Sequence, residues 1–226
     1  MAAAPLDRRP RAVIFDMDGL MLDTEPLAAQ AWGEAGAGLG VGFDDALAMR
    51  MVGCNFVDCS ALVRRHYGAD YPVEALLGRW HAAYDAIVER EGYALKPGLL
   101  ELLDWLEAAG IPKAVATSTR RARAETKLQQ KLLLPRFSAL VGGDEIARGK
   151  PAPDIFLEAA ARIGMPPSAC LVLEDSEPGV RGALAAGTMA IMVPDLKPPP
   201  PALRAMLTLV LPNLHAVHAH LAALPV

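Results

Sequence analysis

Apolar positions along the chain fall into two patterns. Six short runs, at 12–15, 114–116, 139–141, 170–173, 190–193 and 207–211, are apolar almost throughout and lack polar alternation. Runs of this kind suit strands of a parallel sheet that is covered on both faces. Between them, apolar residues recur at helical spacing over 98–109, 154–163 and 178–186. Gly110, Gly164 and Gly187 follow those segments, where a helix commonly stops on a residue with positive φ. Repeated strand–helix alternation predicts an α/β domain built on a doubly wound, mainly parallel sheet.

One stretch interrupts the alternation. From 24 to 92 the pattern is helical and contains no convincing strand. Its clearest segment, 73–91, carries Val73, Leu76, Leu77, Trp80, Tyr84, Ile87 and Val88 on one face, a stripe that reads as packing rather than as a ligand box. Glycines crowd 33–42, so the end of the first helix of this block is poorly defined by pattern alone. The expected division is a core made of 1–23 and 93–226 with an inserted helical cap at 24–92. At the far end, 205–226 has no Asp, Glu, Lys or Arg, but Pro212, Asn213 and three histidines argue against a membrane span. A strand, a turn and a short helix capped by Asn213 are expected there.

Composition narrows the class. The chain has 226 residues, too many for one minimal domain and suited to a domain with an insert. Hydrophobic residues make up 53% and charged residues 21%, which permits a packed core. With 26 acidic and 22 basic side chains the net charge is −4, so no basic surplus exists to neutralise a nucleic-acid backbone. Three cysteines, Cys54, Cys59 and Cys170, form no CxxC pair, and residues 1–11 hold two prolines and no apolar run. A reduced, cytoplasmic protein without a membrane or nucleic-acid partner is expected; oligomeric state is not legible, and a monomer is compatible with everything above.

In an open α/β sheet, ligands collect at the carboxyl ends of the strands. The residues following the expected strands are Asp16-Met17-Asp18-Gly19, Thr117-Ser118-Thr119-Arg120, Gly142-Gly143-Asp144 with Gly149-Lys150-Pro151, and Glu174-Asp175-Ser176. Carboxylates gathered there repel one another by about 4 kcal/mol per pair at 4 Å and an effective dielectric near 20. A hard divalent cation relieves that repulsion, and an oxygen-rich donor set selects Mg²⁺. Thr117 and Ser118 offer donors to phosphoryl oxygens where a strand enters a helix, and Lys150 adds a positive charge. Either Asp16 or Asp18 could attack while the other moves protons.

These segments resemble the four motifs of the haloacid dehalogenase superfamily, in the phosphatase and β-phosphoglucomutase-like branch with a helical cap after the first strand. Phe15 to Glu25 is similar to the first motif, Ala116 to Thr119 to the second, Gly149 to Asp154 to the third, and Leu173 to Ser176 with Gly179 and Gly187 to the fourth. The resemblance implies a Rossmann-like core and a Mg²⁺-dependent phosphatase acting on a small phosphomonoester, a sugar phosphate or similar metabolite. It implies that Asp16 is the nucleophile that becomes an aspartyl-phosphate and Asp18 the acid and base. Thr117 and the Ser118 N–H would bind the phosphoryl group, Lys150 would tie it to Asp16, and Mg²⁺ would sit among Asp16, Asp18, Asp175 and Glu174.

Branches of the superfamily separate on single positions. Its dehalogenases and phosphonate hydrolases lack the second aspartate, which is Asp18 here, and the latter need a cap lysine, yet no lysine occurs from 24 to 92. The β-phosphoglucomutases place a histidine where this chain has Ala28, which favours hydrolysis over a mutase. A regulatory module phosphorylated on Asp16 is the third alternative. Substrate choice is expected from Arg50, Asn55 and Arg120, with Met21 and Glu25 where the chain crosses from core to cap.

Overall fold

The structure is a computed structural model that describes residues 6–37, 44–51, 56–196 and 198–225. In chain order it contains β1 (Ala12–Phe15), β2 (Leu22–Asp23), α1 (Glu25–Ala37), α2 (Asp45–Met51), α3 (Phe56–Tyr67) and α4 (Val73–Glu91). There follow β3 (Ala94–Leu95), α5 (Leu99–Ala108), β4 (Lys113–Ala116), α6 (Arg121–Gln130), β5 (Ala139–Val141) and α7 (Asp154–Arg162). The chain ends with β6 (Cys170–Glu174), α8 (Glu177–Ala185), β7 (Met189–Met192), α9 (Pro201–Arg204), β8 (Leu209–Val210) and α10 (Leu214–Ala223). Its contacts divide it into two units, Met1–Met21 with Leu95–Val226, and Leu22–Ala94.

The first unit is built on a six-stranded sheet of order β5-β4-β1-β6-β7-β8, and every neighbouring pair in it is parallel. The apolar runs form these strands because both faces of the sheet are covered. Ala12 and Ile14 of β1 join Ala114, Ala116, Cys170, Val172, Ala190 and Met192 in one cluster with Ile155 and Phe156 of α7 and Val180 of α8. The alternate residues Val13, Phe15, Val115, Leu171, Leu173 and Ile191 are equally buried. The run at 207–211 shortens to Leu209–Val210, since a turn donates the Leu207 N–H to Arg204 and only Leu209 and Val210 stand opposite Ile191 and Met192. Asn213 accepts the Ala216 N–H at 2.9 Å and caps α10, while Gly110, Gly164 and Gly187 stand at φ of 67°, 67° and 76° behind their helices.

Among its described residues the second unit holds α1 to α4, with the short strands β2 and β3 at its ends. The stripe on α4 is packing: Val73, Leu76, Leu77, Tyr84 and Ile87 are buried, and Trp80 stacks on Trp32 at 5.1 Å while its indole N–H donates to the Ala28 carbonyl. The glycine-rich segment after Ala37 lies outside the described residues. The two-residue strands β2 and β3, which pair with each other, are too short for a pattern to announce. Among the described residues no helix is long and apolar enough to cross a membrane.

Strand order fixes where chemistry can collect. From β1 the chain moves outward on one side to β4 and β5, then returns to the other side of β1 for β6 and continues to β7 and β8. The carboxyl ends of β1 and β6 therefore flank the point where the winding reverses, the position at which such sheets bind ligands.

Candidate active site

Asp16 directly follows β1, and its N–H still donates to Leu173 of β6 at 3.0 Å, which seats it beside the end of that strand. Lys150 connects the two. Its Nζ donates to Asp16 Oδ1 at 2.5 Å, to Glu174 Oε1 at 2.6 Å and to the Ala116 carbonyl at 3.1 Å, and it lies 5.3 Å from the centre of the Phe156 ring. All three side chains are buried, Glu174 completely. Two carboxylates thus share one ammonium, leaving an excess negative charge in a place with little water. Burial raises Asp16 to about 7, with Lys150 pulling the other way and Glu174 adding to the rise. Burial works against the charge on Lys150, but Asp16 and Glu174 outweigh it and hold the ammonium above the usual lysine range.

Glu174 is held at both oxygens. Oε2 accepts the Ser176 N–H at 3.0 Å and its hydroxyl at 2.9 Å, and the same hydroxyl accepts the Gly179 N–H at 3.2 Å to cap α8. The carboxylate lies so close over the first turn of α8 that a Cβ on Gly179 would fall 1.8 Å from Oε1. Asp175 is also buried and lies against the loop after β1: a Cβ on Gly19, which has φ of 85°, would fall 2.5 Å from Asp175 Oδ2. Glycine is needed at 19 for both reasons.

Asp18 is half-buried and turns toward the end of β4. Its Oδ2 accepts the Thr119 hydroxyl at 2.7 Å and its Oδ1 accepts Lys127 Nζ at 2.6 Å. Thr117 is buried, donates its N–H to Val141 and accepts the Thr119 N–H on Oγ1 at 3.1 Å, which leaves its own hydroxyl proton to donate. Ser118 is exposed at the same edge.

The structure therefore brings Asp16, Lys150 and Glu174 together, sets Asp175 against Gly19, and places Thr117 on the neighbouring strand end. Asp144 is used differently, since its Oδ1 accepts the Arg121 N–H at 2.8 Å and caps α6 from the loop after β5. Arg120 is exposed directly before α6. Glu25 opens α1 and Arg50 lies exposed in the last turn of α2, both in the second unit, and Asn55 lies outside the described residues. Lys127 escaped the strand-end search because it stands in α6, 109 positions from Asp18. A signal existed: it follows Arg120 by seven residues, two helical turns along the helix that leaves the end of β4.

Among the described residues no three His, Cys, Asp or Glu side chains cluster tightly enough to hold a metal by themselves. Mg²⁺ does not need that, since it is commonly held by one or two carboxylates and keeps waters or phosphate oxygens as its other ligands. Asp16 and Asp175 bring only oxygen donors to this edge, and the Asp18 carbonyl would be a third. Asp16 and Glu174 are both buried and share the Lys150 ammonium, so the donor set carries surplus negative charge that a divalent cation would balance. The residues present fit the ion, with Glu174 beside them on Lys150.

The sequence profile of the haloacid dehalogenase-like hydrolases matches residues 10–187. The chain is 34% identical to protein CbbY of Rhodobacter capsulatus over 196 residues, which span 81% of this chain and 85% of that protein. It is 32% identical to the fructose-1-phosphate phosphatase YqaB of Escherichia coli over 211 residues, 82% of this chain and 97% of that one. The crystal structure of CbbY from Rhodobacter sphaeroides in complex with phosphate matches with a TM-score of 0.76 at 28% identity, covering 91% of this chain and 95% of that one.

Proposed function

The chain belongs to the haloacid dehalogenase-like hydrolases, and from that premise we propose that it is a Mg²⁺-dependent phosphatase of small phosphomonoesters, sugar phosphates or similar metabolites, working through an aspartyl-phosphate on Asp16. The observation that carries this reading is the buried Lys150 ammonium held between Asp16 and Glu174 at the point where the sheet winding reverses. The relatives named as sugar-phosphate phosphatases support the substrate class.

Lys150 occupies Asp16 Oδ1, so Oδ2 is the oxygen that attacks phosphorus in line with the leaving alkoxide. The new Oδ2–P bond replaces the P–O bond to the alcohol, and Asp18 gives that oxygen a proton. Water then attacks the aspartyl-phosphate, Asp18 takes its proton, and Asp16 is released with inorganic phosphate. The Thr117 hydroxyl and the Ser118 N–H hold the transferred oxygens, and Lys150 offsets their charge. Asp16, Asp175 and the Asp18 carbonyl, with Glu174 alongside, would hold Mg²⁺, which would supply charge neutralisation at the phosphoryl group. Substrate choice falls to residues outside this set, for which Arg50, Asn55, Arg120 and Glu25 remain the candidates.

The decisive experiment is phosphate release from a panel of sugar phosphates, nucleotides and short-chain phosphates, with and without Mg²⁺, using Asp16→Asn as the blank. Release that requires Mg²⁺ and disappears in the variant is expected. An isomerised sugar phosphate without free phosphate would mean a mutase, and a long-lived phosphate on Asp16 without turnover would mean a switch.

A further inference from the structure

The Asp18 carboxylate accepts on both oxygens: from the Thr119 hydroxyl on Oδ2 and from the Lys127 ammonium on Oδ1. Thr119 comes from the loop after β4 and Lys127 from the second turn of α6, so both reach Asp18 from across the strand edge. Only 12% of the Lys127 side chain is exposed, and its neighbours Ala124 and Leu128 are buried. Fixing a lysine in one rotamer costs side-chain entropy, and a charge-assisted hydrogen bond is the kind of contact that offsets it. An aspartate carboxylate otherwise turns easily about its broad last torsion. Two donors on different oxygens set the plane of the group as well as its place.

We propose that Lys127, together with Thr119, is a positioning residue that aims the Asp18 carboxyl group at the leaving-group oxygen. This rests on the phosphatase reading above. The two donors divide the work by their chemistry. A hydroxyl both donates and accepts, so Thr119 keeps its contact with Oδ2 whichever way a proton passes during the reaction; an ammonium only donates and stays on Oδ1. Losing Lys127 leaves the phosphoryl-binding groups in place but lets the carboxyl group wander, and a misplacement near 1 Å can cost about 10²-fold in rate.

The experiment compares kcat/KM of wild type, Lys127→Met, Lys127→Arg and Thr119→Val on two substrates. One is the alkyl phosphate hydrolysed fastest in the panel, and the other is p-nitrophenyl phosphate, whose leaving group departs without a proton. Expected for Lys127→Met is a loss of about 10- to 100-fold on the alkyl phosphate and less than about threefold on the aryl phosphate, with competitive inhibition by inorganic phosphate unchanged. Thr119→Val should show the same bias, and Lys127→Arg should recover much of the alkyl activity. A parallel loss on both substrates with weakened phosphate inhibition overturns the proposal and makes Lys127 a phosphoryl ligand; unchanged kinetics on both also overturn it. A thermal melt shows whether Lys127→Met folds, and the substrate bias of Thr119→Val decides the matter if it does not. Wild-type protein silent on both substrates would defeat the phosphatase reading itself, an outcome seen without any variant.

Discussion

Lys150→Met removes the cation that Asp16 and Glu174 share and keeps an unbranched side chain of similar length. The ammonium is bonded to both carboxylates at 2.5 and 2.6 Å in a site where Lys150 is 8% exposed and Glu174 not at all. Removing one partner from a buried ionic group typically costs about 3–5 kcal/mol, because the remaining charge is left uncompensated. For a chain of this size about 1 kcal/mol moves Tm by 2–4 °C, so a fall of roughly 6–20 °C is expected. The pH dependence adds a sharper signature. Asp16 stands at about 7 in the folded protein against an ordinary value of 3.8, so the folded state binds its proton more tightly than the unfolded state. Stability from that source is full below about pH 4 and is lost as pH rises through 7. Without Lys150 the Asp16 value climbs further, so the variant goes on losing about 1 kcal/mol per pH unit above 7 where wild type levels off. Between pH 5 and 6 Asp16 is protonated in both proteins and the difference between them should be flat. Urea unfolding followed by circular dichroism in EDTA at pH 5 to 9 measures both quantities. A deficit under about 1 kcal/mol at pH 8, or one that narrows as pH rises, would refute the charge argument.

Asp16→Asn should flatten the fall in stability of the Mg²⁺-free protein from pH 4 to 8, a fall that amounts to at most about 4 kcal/mol for wild type; parallel urea titrations of the two proteins check it. Gly179→Ala puts a methyl carbon where Glu174 Oε1 lies, 1.8 Å from the ideal Cβ, and should lower stability by about 1–3 kcal/mol and kcat by more than Glu174→Gln does. Gly19→Ala collides with Asp175 at a backbone of positive φ and should weaken Mg²⁺ binding in calorimetry. Asn213→Ala removes the cap of α10 and should cost about 1 kcal/mol, read as a Tm shift of a few degrees with phosphate release unchanged.

The features legible in the chain were those that local spacing carries. Residues 12–15 and 139–141 are strands as their apolar runs required, 73–91 is a helix whose stripe is core, and Asn213 caps where a polar residue precedes an apolar segment. The acids and hydroxyls at strand ends were also legible, because a parallel sheet gathers whatever follows its strands at one edge. Partnerships were not. Asp144 looked like part of the acidic set but caps α6, Ser176 rather than its acidic neighbours caps α8, and Lys127 reaches Asp18 from 109 positions away. Such pairings depend on the order β5-β4-β1-β6-β7-β8, which sets β1 between strands drawn from distant parts of the chain. Periodicity reports which face of an element is buried, and it holds no information about which element lies alongside. The sequence by itself determined the elements and the types of chemistry at their ends; the tertiary structure decided which charge faces which, because burial and distance set the strength of each interaction only once the strands are in order.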